Sequence, residues 1–352
     1  MPRLRDWREL LRWETLLAVI LLLVIAANIQ MSPHYLGTRN FVNLFQLSIE
    51  KIIVALIMTF IIINGEIDLS VASVMGLSAC LFAWLYDQGA PAEVSILAAL
   101  AAGMACGAFM GVWIAYANLP SLAVTLAGLI LYRGMARILL EDRSVGQFPQ
   151  WFNRLGQTDQ LGPLSYGIVI FIVLFIVSLV VLHFTAYGRH VYVIGNNRNA
   201  ARYAGLKVRR TKMSLFVLSG LVAGLCGLLL AARLGTVRAN VAEEFELDII
   251  TMVLLGGVSI FGGTGTMVGV GLSILVVLNL RNGMSLAHYS GNIQTSVVGT
   301  LLIASVLLPN LMRDARRLWL RRGAKKRPLG AASAQEEGDT RQTADPKPIA
   351  RS

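Results

Sequence analysis

The chain has 352 residues, of which 55% are hydrophobic and only 14% charged, well below the roughly 25% charge of a soluble domain. Its formal net charge of +11 would suit nucleic acid in a soluble protein. Here the basic residues collect in a few stretches between apolar runs, which is a topology signal and excludes that partner. Cys80, Cys106 and Cys226 sit inside apolar segments, and His34, His183, His190 and His288 are scattered. Neither a metal site nor a redox centre is expected from them.

The length is enough for a soluble core, so the argument rests on the apolar runs. Leu164–Leu182 is nineteen residues without a charge and Met213–Ala232 is twenty. About twenty such residues cross a bilayer as a helix. In chain order, the spans are expected at 15–31, 50–64, 69–86, 94–117, 119–139, 163–182, 213–232, 247–260, 265–280 and 293–309. The expected fold is therefore all-α, a polytopic membrane protein of about ten transmembrane helices, some short or broken. Arg133 and Arg137 interrupt the fifth span. The second, eighth and ninth are short and glycine-flanked, as broken or re-entrant helices are where backbone is buried in protein. The first run follows Arg3, Arg5, Arg8 and Arg12 without a small-residue cleavage site, so it is read as a retained helix and not a signal peptide.

The loop 183–212 carries Arg189, Arg198, Arg202, Lys207, Arg209, Arg210 and Lys212 and no acidic residue, whereas Glu243, Glu244, Glu246 and Asp248 fall in another loop. An even span count puts the amino terminus, loop 183–212 and the carboxy-terminal tail on one side. The positive-inside rule makes that side cytoplasmic. The domain reading follows: 1–14 a cytoplasmic amino-terminal segment, 15–310 the membrane domain, 311–329 a basic cytoplasmic segment suited to an anionic inner leaflet, and 330–352 a disordered tail.

Gly103, Gly107 and Gly111 repeat at four-residue spacing in the fourth span, and Gly220, Gly224 and Gly227 mark the seventh. Small residues on one face let helix backbones approach closely in lipid. Sequence leaves open whether the partner face belongs to this chain or to a second subunit.

Three segments are too polar or too glycine-rich for inert lipid-facing helix. In Asn64-Gly65-Glu66-Ile67-Asp68-Leu69-Ser70, burying either carboxylate is costly unless it is paired or hydrated. Asp68 can cap the helix that follows, with Ser70 in its first turn; alternatively the carboxylates line a transport path or exchange a proton. The run Leu255 to Thr266 contains Gly256, Gly257, Gly262 and Gly263 but no Walker lysine, so it reads as a tight turn between helices and not as a phosphate loop. In Gly195–Leu206, Asn199 is a candidate cap for a short helix through Tyr203, closed by Gly205. That helix is either simple connecting structure or a surface that receives force from a soluble partner.

At these residues the sequence resembles the permease subunits of bacterial ABC importers for simple sugars. That group covers ribose, xylose and galactose, with rhamnose and the furanose-like autoinducer signal in the same superfamily. Gly65-Glu66-Ile67-Asp68-Leu69-Ser70 is similar to the family's Gly-Gly-Ile-Asp-Leu-Ser, with Glu66 departing from glycine. Gly195–Leu206 resembles Gly-x-Asn-x-x-Ala-Ala-Arg-x-x-Gly-Ile, and Leu255–Gly265 resembles Leu-Gly-Gly-x-Ser-x-Phe-Gly-Gly-x-Gly. Arg281-Asn282-Gly283 fits after the ninth span, and the likeness covers about residues 15–310.

The resemblance implies a non-enzymatic permease without catalytic residues, metal or bound cofactor. Its partners would be a second permease subunit (identical or homologous), two cytoplasmic ATPase subunits that use ATP and Mg, and a periplasmic sugar-binding protein. The location would be the bacterial inner membrane with both termini cytoplasmic. Gly65, Glu66, Asp68, Ser70, Gly256, Gly257, Gly262 and Gly263 would belong to motif or transport-path positions. Asn199, Ala200, Ala201, Arg202 and Gly205 would form the ATPase-coupling loop, with Arg198 and Arg202 facing the ATPase. The alternative is a proton- or ion-coupled secondary transporter that uses Glu66 and Asp68.

Overall fold

A computed structural model describes residues 7–33, 35–141, 143–157, 165–305 and 307, without side chains at 7–12. The chain divides after Val306. Of the second unit, Leu307–Ser352, only the first residue is described, so the stretches 311–329 and 330–352 lie outside the described residues.

The described chain is almost wholly helical. Its elements are α1 (Trp7–Met31), α2 (Thr38–Gln46), α3 (Ile49–Ile63), α4 (Val71–Asp87), α5 (Ala92–Ala115), α6 (Ser121–Leu140), β1 (Val145–Gly146), α7 (Gln150–Gly156), α8 (Tyr166–Phe184), α9 (Ala186–Asn196), α10 (Arg198–Tyr203), α11 (Val208–Leu234), β2 (Thr236–Val237), α12 (Phe245–Leu255) and α13 (Met267–Leu286). A last helix, α14, occupies 291–305. The two strands pair antiparallel over two residues each.

Among the described residues six helices are long and apolar enough to cross a membrane: α1, α5, α6, α8, α11 and α13. A seventh crossing results if α2 and α3, bent by 51° at a short break, form one broken span. The stretches expected at 69–86, 247–260 and 293–309 are helical but shorter, as α4, α12 and α14. The sixth span lies where hydrophobicity placed it. The fifth, α6, continues unbroken through Arg133 and Arg137. Two helices run further than their apolar content indicated. α11 starts at Val208 and so takes in Arg209, Arg210 and Lys212, while α13 continues through Arg281-Asn282-Gly283 to Leu286.

The core forms around α3, α4, α11 and α12, where Ile52, Ile61, Met75, Phe82, Phe216, Ala223 and Met252 are fully or almost fully buried. Outer faces stay apolar instead of turning polar: Leu22 and Leu23 on α1, Ile130 and Ile138 on α6, and Ile176 and Val177 on α8 are all exposed. This is the inverse of a soluble surface and suits hydrocarbon.

The glycine repeats meet each other within this chain. A Cβ on Gly220 would lie 2.2 Å from the Gly103 carbonyl oxygen, and one on Gly107 2.2 Å from that of Phe216. The backbones of α5 and α11 are therefore in contact, which dispersion stabilises where lipid supplies no hydrophobic drive. Gly227 serves α4 in the same way, its Cβ position 2.3 Å from the Met75 oxygen.

Candidate functional site at a three-segment junction

The three segments singled out from sequence converge at one end of the bundle, beginning with the end of α3. Gly65 takes the left-handed conformation (φ +79°). Its N–H donates to the Ile62 carbonyl (2.9 Å) and that of Glu66 to the Ile61 carbonyl (3.1 Å). That pairing is a Schellman closure, which satisfies carbonyls left over by the helix and needs glycine at its bend. The Ile63 carbonyl is taken by the glycine-rich segment, whose Gly263 N–H donates to it at 2.8 Å.

Close approach explains the other glycines. A Cβ on Gly195 would fall 1.8 Å from the Ile63 oxygen, one on Gly262 2.8 Å from the Gly65 Cα, and one on Gly263 2.9 Å from the Asn196 Cα. Gly256 lies against Val270 of α13, and Gly257 against the Trp13 indole. Trp13 Nε1 also donates to the Leu255 carbonyl at 3.1 Å. Thr266 caps α13, accepting from the Gly269 N–H, and donates to Glu14 Oε1 at 2.6 Å. Tyr192 of α9 donates to the Gly265 carbonyl at 2.7 Å. Burial pushes its phenol well above the usual value, so it stays a neutral donor. The expected tight turn is thus a plug that joins α3, α9, α12, α13 and the start of α1.

Both carboxylates of the first motif are buried, each with 4% of its surface exposed. Glu66 Oε1 is held by Lys212 Nζ at 2.5 Å and by the Arg198 guanidinium. Asp68 accepts from the Ser70 N–H (2.9 Å) and hydroxyl (2.6 Å) through Oδ1, and from the Ser219 hydroxyl (2.9 Å) through Oδ2. Burial raises the pKa of Asp68, and these hydrogen bonds oppose the shift. Asp68 therefore secures the turn that enters α4, while Ser70 occupies the N-cap position without a side-chain cap of its own. Lys212 and Ser219 are seven residues apart, two turns on one face of α11. Ser219 does not stand out in the sequence, and Lys212 reads there as a topology charge at the end of the family-like loop, without a partner assigned.

The short helix exists as α10, but its cap differs. Asn197 Oδ1 accepts from the Ala200 N–H at 3.0 Å, so Asn197 is the N-cap and Asn199 lies exposed inside the helix. Asn197 is the residue left in extended backbone, as an N-cap requires. Gly205 (φ +79°) closes the helix as expected, with its N–H on Arg202 and that of Leu206 on Ala201. Ala201 is buried with Ile194 and Val208, while Arg202 is exposed and Tyr203 is 91% exposed. Arg198 does not simply face outward, because half of its side chain is covered by its bond to Glu66.

A second polar assembly occupies the other end of α3, about 20 Å away along the helix. Lys51 Nζ and Arg281 Nη2 both reach Asp248, at 2.7 and 2.5 Å. Glu50, fully buried, accepts from Arg233 Nε and Nη2 at 2.8 and 3.2 Å. Arg133 pairs with Glu246 at 3.4 Å and Arg137 with Glu243 at 2.9 Å. Sequence reasoning read these as span interruptions and an acidic loop. The signal it missed was that basic residues inside spans need acidic partners at the same depth. The Arg281-Asn282-Gly283 motif belongs here too: Asn282 exchanges amide hydrogen bonds with Asn40, and a Cβ on Gly283 would collide with Asn28 Oδ1. Among the described residues no group of three or more His, Cys, Asp or Glu could hold a metal ion.

A bundle with six membrane-length helices among the described residues, buried ion pairs and a glycine plug defines a polytopic membrane protein. The chain belongs to the family described as the permease component of branched-chain amino acid transport systems, whose profile matches residues 40–306. Among curated proteins it is similar to the Autoinducer 2 import system permease protein LsrD of Escherichia coli strain K12, with 32% identity over 324 residues, 89% of this chain and 97% of the relative. The LsrD proteins of Shigella flexneri and of Escherichia coli O157:H7 match with the same identity and coverage. No solved structure matches the chain. As a permease component it is not an enzyme, and ATP hydrolysis belongs to a separate subunit.

Proposed function

We propose that the chain is the membrane subunit of an ATP-driven importer for a small sugar-like molecule of the kind named for its LsrD relatives. The single observation that carries the mechanism is the convergence of Gly65, Gly195 and Gly262 on one joint from which α10 projects. In this reading an ATPase seats on Asn199, Ala200, Ala201, Arg202 and Gly205, and the joint passes its movement to α3, α4 and α11. Gly65, Glu66, Asp68, Ser70, Gly256, Gly257, Gly262 and Gly263 build the joint and do not bind cargo. A second permease subunit completes the path, and an external binding protein delivers the substrate.

Counting α2–α3 as one crossing and adding α4, α12 and α14 to the long helices gives the ten spans of the proposed topology. It places both termini and α10 in the bacterial cytoplasm at the inner membrane, with domain limits 1–14, 15–310, 311–329 and 330–352. Coupling to protons through Glu66 and Asp68 has less support, since the first carboxylate is matched by two cations and the second by three donors.

Two measurements test the proposal. Vesicles containing the assembled permease, ATPase and binding protein should hydrolyse ATP severalfold faster when the sugar-like substrate is added, and should accumulate it. Accumulation driven by a proton gradient without ATP would sink the ATP-driven reading. Arg202→Glu should weaken ATPase co-purification about tenfold or more by placing like charge at an interface, without loss of permease from the membrane. Undiminished co-purification would remove α10 as the seat.

A further inference from the structure

The surroundings of Glu66 give it a specific task. Its backbone is fixed to α3 by the Schellman closure, its N–H bonded to Ile61. Its carboxylate is fixed to Lys212 in α11 and to Arg198, the first residue of α10. One buried side chain therefore ties three helices together, and only one of its bonds crosses to the exposed helix. The Glu66–Lys212 pair is enclosed on both sides, with 4% and 5% of the side-chain surface exposed, whereas Arg198 is 52% exposed. The first bond is enclosed, and the second reaches a half-exposed residue of α10. Asn64, two residues before Glu66, is fully buried with neither amide atom partnered among the described residues. An unsatisfied buried amide suits a joint that has a second arrangement.

We propose that the Glu66–Lys212–Arg198 triad is an ionic tether through which movement of α10 is transmitted to α3 and α11, with Glu66 as the positioning residue. The inference rests on the reading of α10 as the ATPase seat. It adds that the force passes through charge, besides the glycine contacts.

Glu66→Gln alone strands the Lys212 charge and can fail by misfolding, so the test uses two variants that leave no buried charge unpaired. Arg198→Ala cuts the tether and keeps the Glu66–Lys212 anchor. Glu66→Gln with Lys212→Met removes both buried charges and keeps Arg198 on α10. In reconstituted complexes, each should lower the amount of substrate imported per ATP hydrolysed by about tenfold, within the usual range of coupling free energies. Combining all three substitutions should be no worse than either alone, since they cut one connection. ATPase co-purification should stay at the wild-type level in the Glu66→Gln/Lys212→Met variant, which leaves α10 unaltered, and this separates loss of transmission from loss of the seat. An unchanged import-to-ATP ratio in either variant, or losses that multiply in the combination, would overturn the tether. Loss of co-purification in the Glu66→Gln/Lys212→Met variant would do so as well, by showing that the pair serves docking.

Discussion

Gly220→Leu is expected to abolish accumulation of folded permease. The first atom of any side chain at this position would lie 2.2 Å from the Gly103 oxygen and 2.9 Å from the Gly107 Cα. These are backbone atoms of α5, so no rotamer change relieves the overlap, and the two helices must separate. Overpacking that side chains can absorb costs about 1–3 kcal/mol; a clash with the backbone of a second helix exceeds that range and takes up most of a total stability of about 5–15 kcal/mol. Gly134→Leu is the control, since nothing lies within 4 Å of a Cβ there. Thermal melting in detergent and size-exclusion profiles should show aggregated Gly220→Leu beside unaffected Gly134→Leu. A Gly220→Leu protein that melts like the wild type would mean that α5 and α11 do not cross at these residues.

Asp248→Asn should be the most damaging single charge removal at the opposite end. It withdraws the carboxylate that neutralises both Lys51 and Arg281, and Lys51, 7% exposed, has no water to replace it. Breaking a buried pair from one side costs about 3–5 kcal/mol, and the shared carboxylate places this case at the top of that range. The Phe245 ring, 4.4 Å from the Lys51 ammonium, offsets only about 1–2 kcal/mol. Removing the stranded cations as well, in Asp248→Asn with Lys51→Met and Arg281→Met, should recover much of the melting temperature, because apolar replacement of buried ions is often close to neutral. If the triple variant melts below the single one, the network contributes more than charge balance.

The helical class and the glycine-bearing helix faces were legible because each rests on local spacing. Runs of about twenty apolar residues identify membrane helices, and glycines four apart identify a close-packing face. Their partner was not legible, because Gly103 and Gly220 lie far apart in the chain. The ion pairs stayed hidden for the same reason: Arg133 meets Glu246, and Lys51 meets Asp248, across more than a hundred residues. The junction was half legible. Motifs pointed to Gly65, Gly195 and Gly262, but nothing local said that one helix end would gather all three. The cap of α10 was misread by two positions because Asn197 and Asn199 are equally good capping residues. What favours the earlier one is Arg198, which bonds to Glu66 as the first residue of the helix.

The docking of α1 sets a schedule for biosynthesis. Trp13 and Glu14 find their partners at Leu255 and Thr266, 242 and 252 residues later. At roughly 5–20 residues per second, the ribosome delivers those partners about 12–50 s after the first helix. Throughout that interval α1 has to stay in lipid without its native neighbours. It can do so because its Leu22 and Leu23 stay exposed and apolar even in the finished fold, so this face of the waiting helix suits hydrocarbon before its partners arrive. Closure of the glycine plug is then a late event of insertion, and a chain interrupted before Thr266 has nowhere to seat its own beginning.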